Sequence, residues 1–296
     1  MGDLPSSRVT VARPFTVTGV DFCGPITTTY LLRGYRTTKS YIAVFICFAT
    51  KAVHMEVVSD LTAKAFQASL KRFVARRGLC LKLFCDNATN FVGTRKELEE
   101  MKCKFFDQQI PHFGELWEAA VKSAKYHLAR ILGQWHLTFE ELATVVAEVE
   151  AVLNSRPLTT LSNDPNDESV LTPAHFLTGG PLVGTVEPTV DSEEWSHKDR
   201  WLRISAIQQH FWRRWSAEYL HELQQKVKWT KKQKNLNEDD MVLIAEENLP
   251  SKQWLIGKVL KVTRDAKGWV RVADIKTKNG EVRRAIHKLA PIPSEC

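Results

Sequence analysis

Three carboxylates stand where a negative charge is costly or conspicuous: Asp21 in "TVTGVDFCGPI", Asp86 near the end of "LCLKLFCDN", and Glu118 in "GELWEAAVKSAK". A carboxylate inside an otherwise apolar strand needs a partner or a metal to offset its lost hydration. Each also has a plain alternative. Asp21 precedes a Gly24-Pro25 turn, Asp86-Asn87 can make an Asx turn, and Glu118 can pair with Lys122 on a helix surface. Their order is more informative than any one of them. A strand Asp, a distant strand-tip Asp and a helix Glu can converge above one sheet edge. Such a cluster repels itself unless divalent cations occupy it. Two hard cations about 3.5–4 Å apart activate water and stabilise a leaving oxygen in phosphoryl transfer.

The elements that must position these groups follow from periodicity. "PFTVTGVDFCGPI" (14–26) predicts a strand closed by Gly24-Pro25, and "SYIAVFICFATKAVHMEVV" (40–58) predicts two strands joined near "ATKA". "LTAKAFQASLKRFVARRG" (61–78) predicts an amphipathic helix with Leu61, Ala65, Phe66, Leu70, Phe73 and Val74 on one face and Gly78 as its stop. "LCLKLFCDN" (79–87) is a fourth strand. A helix over about 114–132 puts Trp117, Val121, Ala124, Leu128 and Ile131 on one stripe, with Glu118, Lys122 and Lys125 beside it. Glu115, about 60° from Glu118 on the helical wheel, suits the helix start. "TFEELATVVAEVEAVLNS" (138–155) predicts another helix with a Thr cap. This β-β-β-α-β order followed by helices predicts an α/β fold with a mixed sheet.

Further on, 198–229 reads as one long basic helix rich in tryptophan, and about five short strands from Glu238 onward suggest a small SH3-like barrel. Charge divides accordingly. Residues 196–296 carry 21 Lys and Arg against 12 Asp and Glu, although the whole chain of 296 residues is only +7. A near-neutral front and a basic back point to a polyanion, nucleic acid first. Arg213, Arg214, Lys231, Lys232 and Lys234, interleaved with Trp212, Trp215 and Trp229, fit phosphate contacts. The six cysteines form no CxxC and the nine histidines no zinc spacing, which suits free thiols in a reducing compartment and predicts no zinc site. No apolar run approaches the roughly 20 residues of a membrane span.

"RVTVARPFTVTGVDFCGPI", "DNATNFVG", "PHFGELWEAAVKSAK", "NSRPLTTLSNDPNDESVLTPAHFLTG" and "HFWRRWSAEYLHELQQKVKW" together resemble the integrase of Pao/BEL-type LTR retrotransposons. The resemblance implies an RNase H-like catalytic core of the DDE superfamily and an SH3-like carboxy-terminal domain. On that basis residues 1–15 are an amino-terminal arm lacking the family's zinc module, 16–160 the core, 161–235 a loop and basic helical linker, and 236–293 the SH3-like domain. By the same resemblance Asp21, Asp86 and Glu118 are the catalytic, metal-binding triad. The implied cofactor is two Mg²⁺ or Mn²⁺ ions, and the implied reaction trims a retroelement DNA end and joins its 3′-OH to target DNA. Lys122 and Lys125 would contact phosphates of that end.

The implied partner is double-stranded DNA, with homo-oligomers in the active form, no membrane, and work in the nucleus. The segment between Asp86 and "PHFG" is short for the family, and Glu115 replaces its second glycine. Three readings therefore stand: an integrase, an inactive DNA-binding remnant, and an interaction module whose Trp254 and Trp269 line a groove.

Overall fold

In a computed structural model of the chain, the described residues are 11–30, 36–85, 119–133, 135–161, 169–184, 200–225, 235–246 and 249–293. They fall into two compact units. One spans 1–154 and 189–211, the other 155–188 and 212–296.

The first unit is built on a mixed sheet of β1 (Val17–Thr29), β2 (Thr37–Cys47), β3 (Val53–Val58) and β4 (Lys82–Cys85), in the order β3-β2-β1-β4. β2 runs antiparallel to both β1 and β3, whereas β4 lies parallel to β1. A parallel neighbour needs a crossover, and α1 (Ala63–Arg77) supplies it. Thr62 caps this helix by accepting the Ala65 N–H, and Gly78 ends it at φ 82°, where its N–H bonds the Val74 carbonyl. Phe66, Leu70 and Phe73 are buried as the periodicity predicts. Leu61 is exposed, because it precedes the cap and never joins the helical face.

β1 differs from expectation in length. It passes through Gly24-Pro25 to Thr29, with a shift of register between Cys23 and Ile26. A bulge accommodates a proline that a regular ladder could not.

α2 (Ala119–Leu132), the short β5 (Leu137–Thr138) and α3 (Phe139–Asn154) complete the unit. The predicted stripe of α2 is buried at Val121, Ala124, Leu128 and Ile131. α3 opens with a reciprocal cap: Thr138 Oγ1 accepts the Glu141 N–H at 3.2 Å, and Glu141 Oε2 accepts the Thr138 N–H at 2.7 Å. Its other end covers the edge strand. Asn154 bonds both the N–H and the C=O of Val53, each at 2.8 Å, and Glu150 Oε2 accepts the Met55 N–H at 2.8 Å.

β6 (Thr159–Thr160), β7 (Val170–Leu171) and the single-turn α4 (His175–Thr178) precede α5 (Arg200–Gln225), the long helix expected from the sequence. In the second unit β8 (Met241–Ile244), β9 (Leu255–Arg264), β10 (Val270–Thr277), β11 (Gly280–Ala285) and β12 (Leu289–Pro291) form an antiparallel sheet ordered β11-β10-β9-β8-β12. Val242, Ile244, Val259, Ala273, Ile275 and Leu289 form its core. Lys278 and Asn279 make the two-residue turn between Thr277 and Gly280, and Gly280 takes φ 119°. Against this sheet's unit Trp215, fully buried, stacks on Tyr219 with ring centroids 5.4 Å apart. Trp254 meets Trp212 and Tyr219 edge-on. Trp254 is therefore part of a packed aromatic cluster, whereas Trp269 is 41% exposed.

Candidate functional site

Asp21 lies in the middle of β1, opposite Val44 of β2, between the fully buried Val20 and the half-buried Phe22. Alternation sends successive side chains to opposite faces. Phe22 goes to the α1 side, where its ring meets Phe66 at 5.8 Å. Asp21 and Cys23 go to the α2 side, where Cys23 Sγ lies 3.7 Å from the Lys125 carbonyl oxygen. The buried stripe of α2 presses this helix onto the sheet, so Lys125 arrives beside Asp21. Its ammonium donates to Asp21 Oδ2, while Oδ1 accepts the Phe22 N–H at 2.7 Å. The carboxylate is 35% exposed and the lysine side chain 17%. Burial pushes the Cys23 thiol above its ordinary pKa; the Lys125 charge opposes that shift and the Asp21 charge adds to it.

The other two predicted carboxylates, Asp86 and Glu118, lie outside the described residues, as do Lys231, Lys232 and Lys234. The described ladder stops one residue short of Asp86, with Cys85 paired to Val20, the residue before Asp21. The first residue of α2, Ala119, directly follows Glu118. Lys122, also on α2, is exposed, with no ion pair among the described residues. Arg213 and Arg214 are exposed on α5, on the side away from the buried Trp212 and Trp215.

The donor set can be tested against a divalent cation at Asp21. Among the described residues no three His, Cys, Asp or Glu side chains gather to hold a metal ion. Asp21 supplies one hard oxygen donor, and a cation, the Lys125 ammonium, already rests against it. That much fits a cation position.

A second charged constellation was overlooked in the sequence. His54 and Glu56 of β3 are 2% and 5% exposed and face three arginines of α1. Glu56 receives His54 Nε2 at 3.0 Å, Arg72 Nε at 2.6 Å and Arg76 Nη1 at 2.8 Å. Glu150 of α3 receives Arg77 Nη2 at 2.5 Å and lies 3.1 Å from His54 Nδ1. Burial alone would depress the His54 pKa, but hydrogen bonds to Glu150 and Glu56 outweigh it, and the ring is held above its ordinary value. Burial likewise opposes the ionised Glu56, and the bonds from His54 and Arg72 prevail, holding its carboxyl below the usual range. The available signal was "HMEVV", whose period-two polar positions break an apolar strand, together with Arg72 and Arg76 one helical turn apart.

A family model described as "Family of unknown function (DUF5641)" matches residues 199–292. No curated protein matches the chain. Among solved structures, the catalytic core domain of BIV integrase is similar at 17% identity, over 56% of this chain and 95% of that one, with a TM-score of 0.39. The simian T-cell lymphotropic virus intasome in complex with PP2A regulatory subunit B56 gamma is similar at 11% identity, over 97% of this chain and 85% of that one, with a TM-score of 0.38. Likeness at this level assigns no activity. Among the described residues no helix is long and apolar enough to cross a membrane.

Proposed function

We propose that the chain is an integrase of LTR-retroelement type, related to the Pao/BEL group, with an RNase H-like core and an SH3-like carboxy-terminal domain, acting on double-stranded DNA in the nucleus. The observation that carries this reading is the seat of Asp21. It is a partly exposed carboxylate in the central region of a mixed sheet, already against a cation, with β4 leading in sequence to Asp86 and α2 following Glu118 in sequence.

In this reading Asp21, Asp86 and Glu118 would hold Mg²⁺ or Mn²⁺. Bound there, two such ions supply a low-pKa nucleophile and neutralise the leaving oxygen of a phosphodiester. The chain's own residues orient the reaction. β1 keeps Asp21 fixed through Phe22, the buried face of α2 keeps that helix on the sheet, and Lys122 offers an exposed ammonium to a DNA phosphate. Arg213 and Arg214 offer further phosphate contacts along α5.

The test is Mg²⁺-dependent strand transfer of a labelled LTR-end duplex by the full chain. Asp21→Asn, Asp86→Asn and Glu118→Gln should each reduce the product below detection, and chelation should do the same. Transfer that survives all three substitutions would remove the site assignment. A second reading, DNA binding without catalysis, is favoured by the exposed Arg213 and Arg214. It expects affinity without divalent metal that falls steeply as salt rises, through counterion release.

A further inference from the structure

We propose that Lys125 is an internal counter-ion that competes with a divalent cation for Asp21 and yields the carboxylate when a nucleic-acid phosphate draws its ammonium away. The inference rests on the metal-site reading of Asp21 and deepens it. A carboxylate flanked in sequence by packed Val20 and Phe22 is costly to leave without a partner. The chain supplies one from its own helix, and it does so at Oδ2, the oxygen not already taken by the Phe22 N–H.

The position of the ammonium follows from the fold. Val121, Ala124 and Leu128 bury the turns on either side of Lys125, and its carbonyl faces the Cys23 thiol. The side chain as a whole is only 17% exposed, so the ammonium is held close to the sheet rather than in open solvent. Lys122, less than one turn earlier, is exposed and makes no such pair among the described residues.

Two positive charges cannot share one carboxylate oxygen without strong repulsion, so ammonium and divalent cation exclude one another there. A DNA phosphate gives the ammonium an alternative to Asp21, and its arrival therefore favours the cation. Phosphate and cation are then linked ligands, each raising the affinity of the other. In this scheme Lys125 is a positioning residue and touches no reacting atom.

Mn²⁺ binding to the full-length chain, read from the loss of the free-ion electron paramagnetic resonance signal, tests the proposal without any catalytic readout. Lys125→Met keeps the apolar stem and removes the charge, and Lys125→Gln is a second uncharged variant. Both should bind Mn²⁺ at least about fivefold more tightly than the natural chain, the factor that one unit charge about 4 Å away contributes even in water. Lys125→Arg, which keeps the charge, should stay within about twofold of the natural chain. Asp21→Asn combined with Lys125→Met should erase the gain. A short DNA duplex should tighten Mn²⁺ binding in the natural chain and do so less in Lys125→Met. Unchanged or weaker Mn²⁺ binding in both uncharged variants, with melting temperatures confirming that they are folded, overturns the counter-ion role. If Asp21→Asn leaves Mn²⁺ binding of the natural chain unchanged, the metal-site reading itself fails, so the two failures are distinguishable.

Discussion

At Glu56 one buried carboxylate joins a strand histidine to two helix arginines, and this gives the stability of the first unit a defined pH dependence. The carboxyl is held below its ordinary value of 4.5, so its contribution is complete above that value and is lost as pH falls through the lower folded value. The His54 ring is held above its ordinary 6.5, so its contribution is complete below 6.5 and is lost as pH rises through the higher folded value. Denaturant midpoints should therefore be highest between about pH 4.5 and 6.5. His54→Gln should flatten the alkaline limb and also weaken the acid limb, because His54 supplies the first of the bonds that hold Glu56 ionised and Arg72 keeps only part of that effect. Glu56→Gln should cost about 1–3 kcal/mol, the penalty of an unsatisfied buried partner. Most of that comes from His54, because Arg72 and Arg76 are 41% and 60% exposed and their pairs are screened by solvent. Midpoints independent of pH would dismiss the coupled cluster.

Among the elements, α3 depends most clearly on a few named groups. Thr138 and Glu141 close its first turn on each other, and Arg200 Nε adds a bond to Glu141 Oε1 at 2.6 Å. Thr138→Ala should destabilise the first unit by about 1 kcal/mol, while Thr138→Ser, which keeps the hydroxyl, should recover most of it. Chemical denaturation with an unchanged slope would verify this. The cap was legible because a Thr before an apolar helical run, with Glu three residues on, is a local signal. β1 was legible only in part. Its alternation identified the strand, but Gly24-Pro25 read as a terminus because the bulge that carries proline through depends on how β2 pairs alongside.

At the scale of the whole molecule, the second unit draws on residues far apart in sequence. Tyr219 Oη donates to the Pro157 carbonyl at 2.7 Å, Thr159 Oγ1 donates to the Pro293 carbonyl at 2.8 Å, and Trp254 Nε1 donates to Ser155 Oγ at 3.4 Å. The family match begins at residue 199 and omits the 155–184 segment that supplies these partners. A fragment of residues 155–296 should therefore melt at a higher temperature than one of 199–296, by several degrees for each kcal/mol of lost contacts. Equal melting temperatures would show that the segment contributes nothing to the unit's stability.

By itself the sequence determined the amphipathic helices, the β-β-β-α-β order, the basic last third and the candidacy of Asp21, since periodicity, capping residues and charge act over a few neighbouring residues. The Asp21–Lys125 pair and the His54–Glu56–Glu150 cluster were decided only by tertiary structure. Each joins groups about 100 residues apart in sequence or brings three elements together. Local pattern shows that a residue is charged and on which face it lies. Which opposite charge meets it depends on sheet order and on where helices pack, and burial then turns that meeting into a strong interaction.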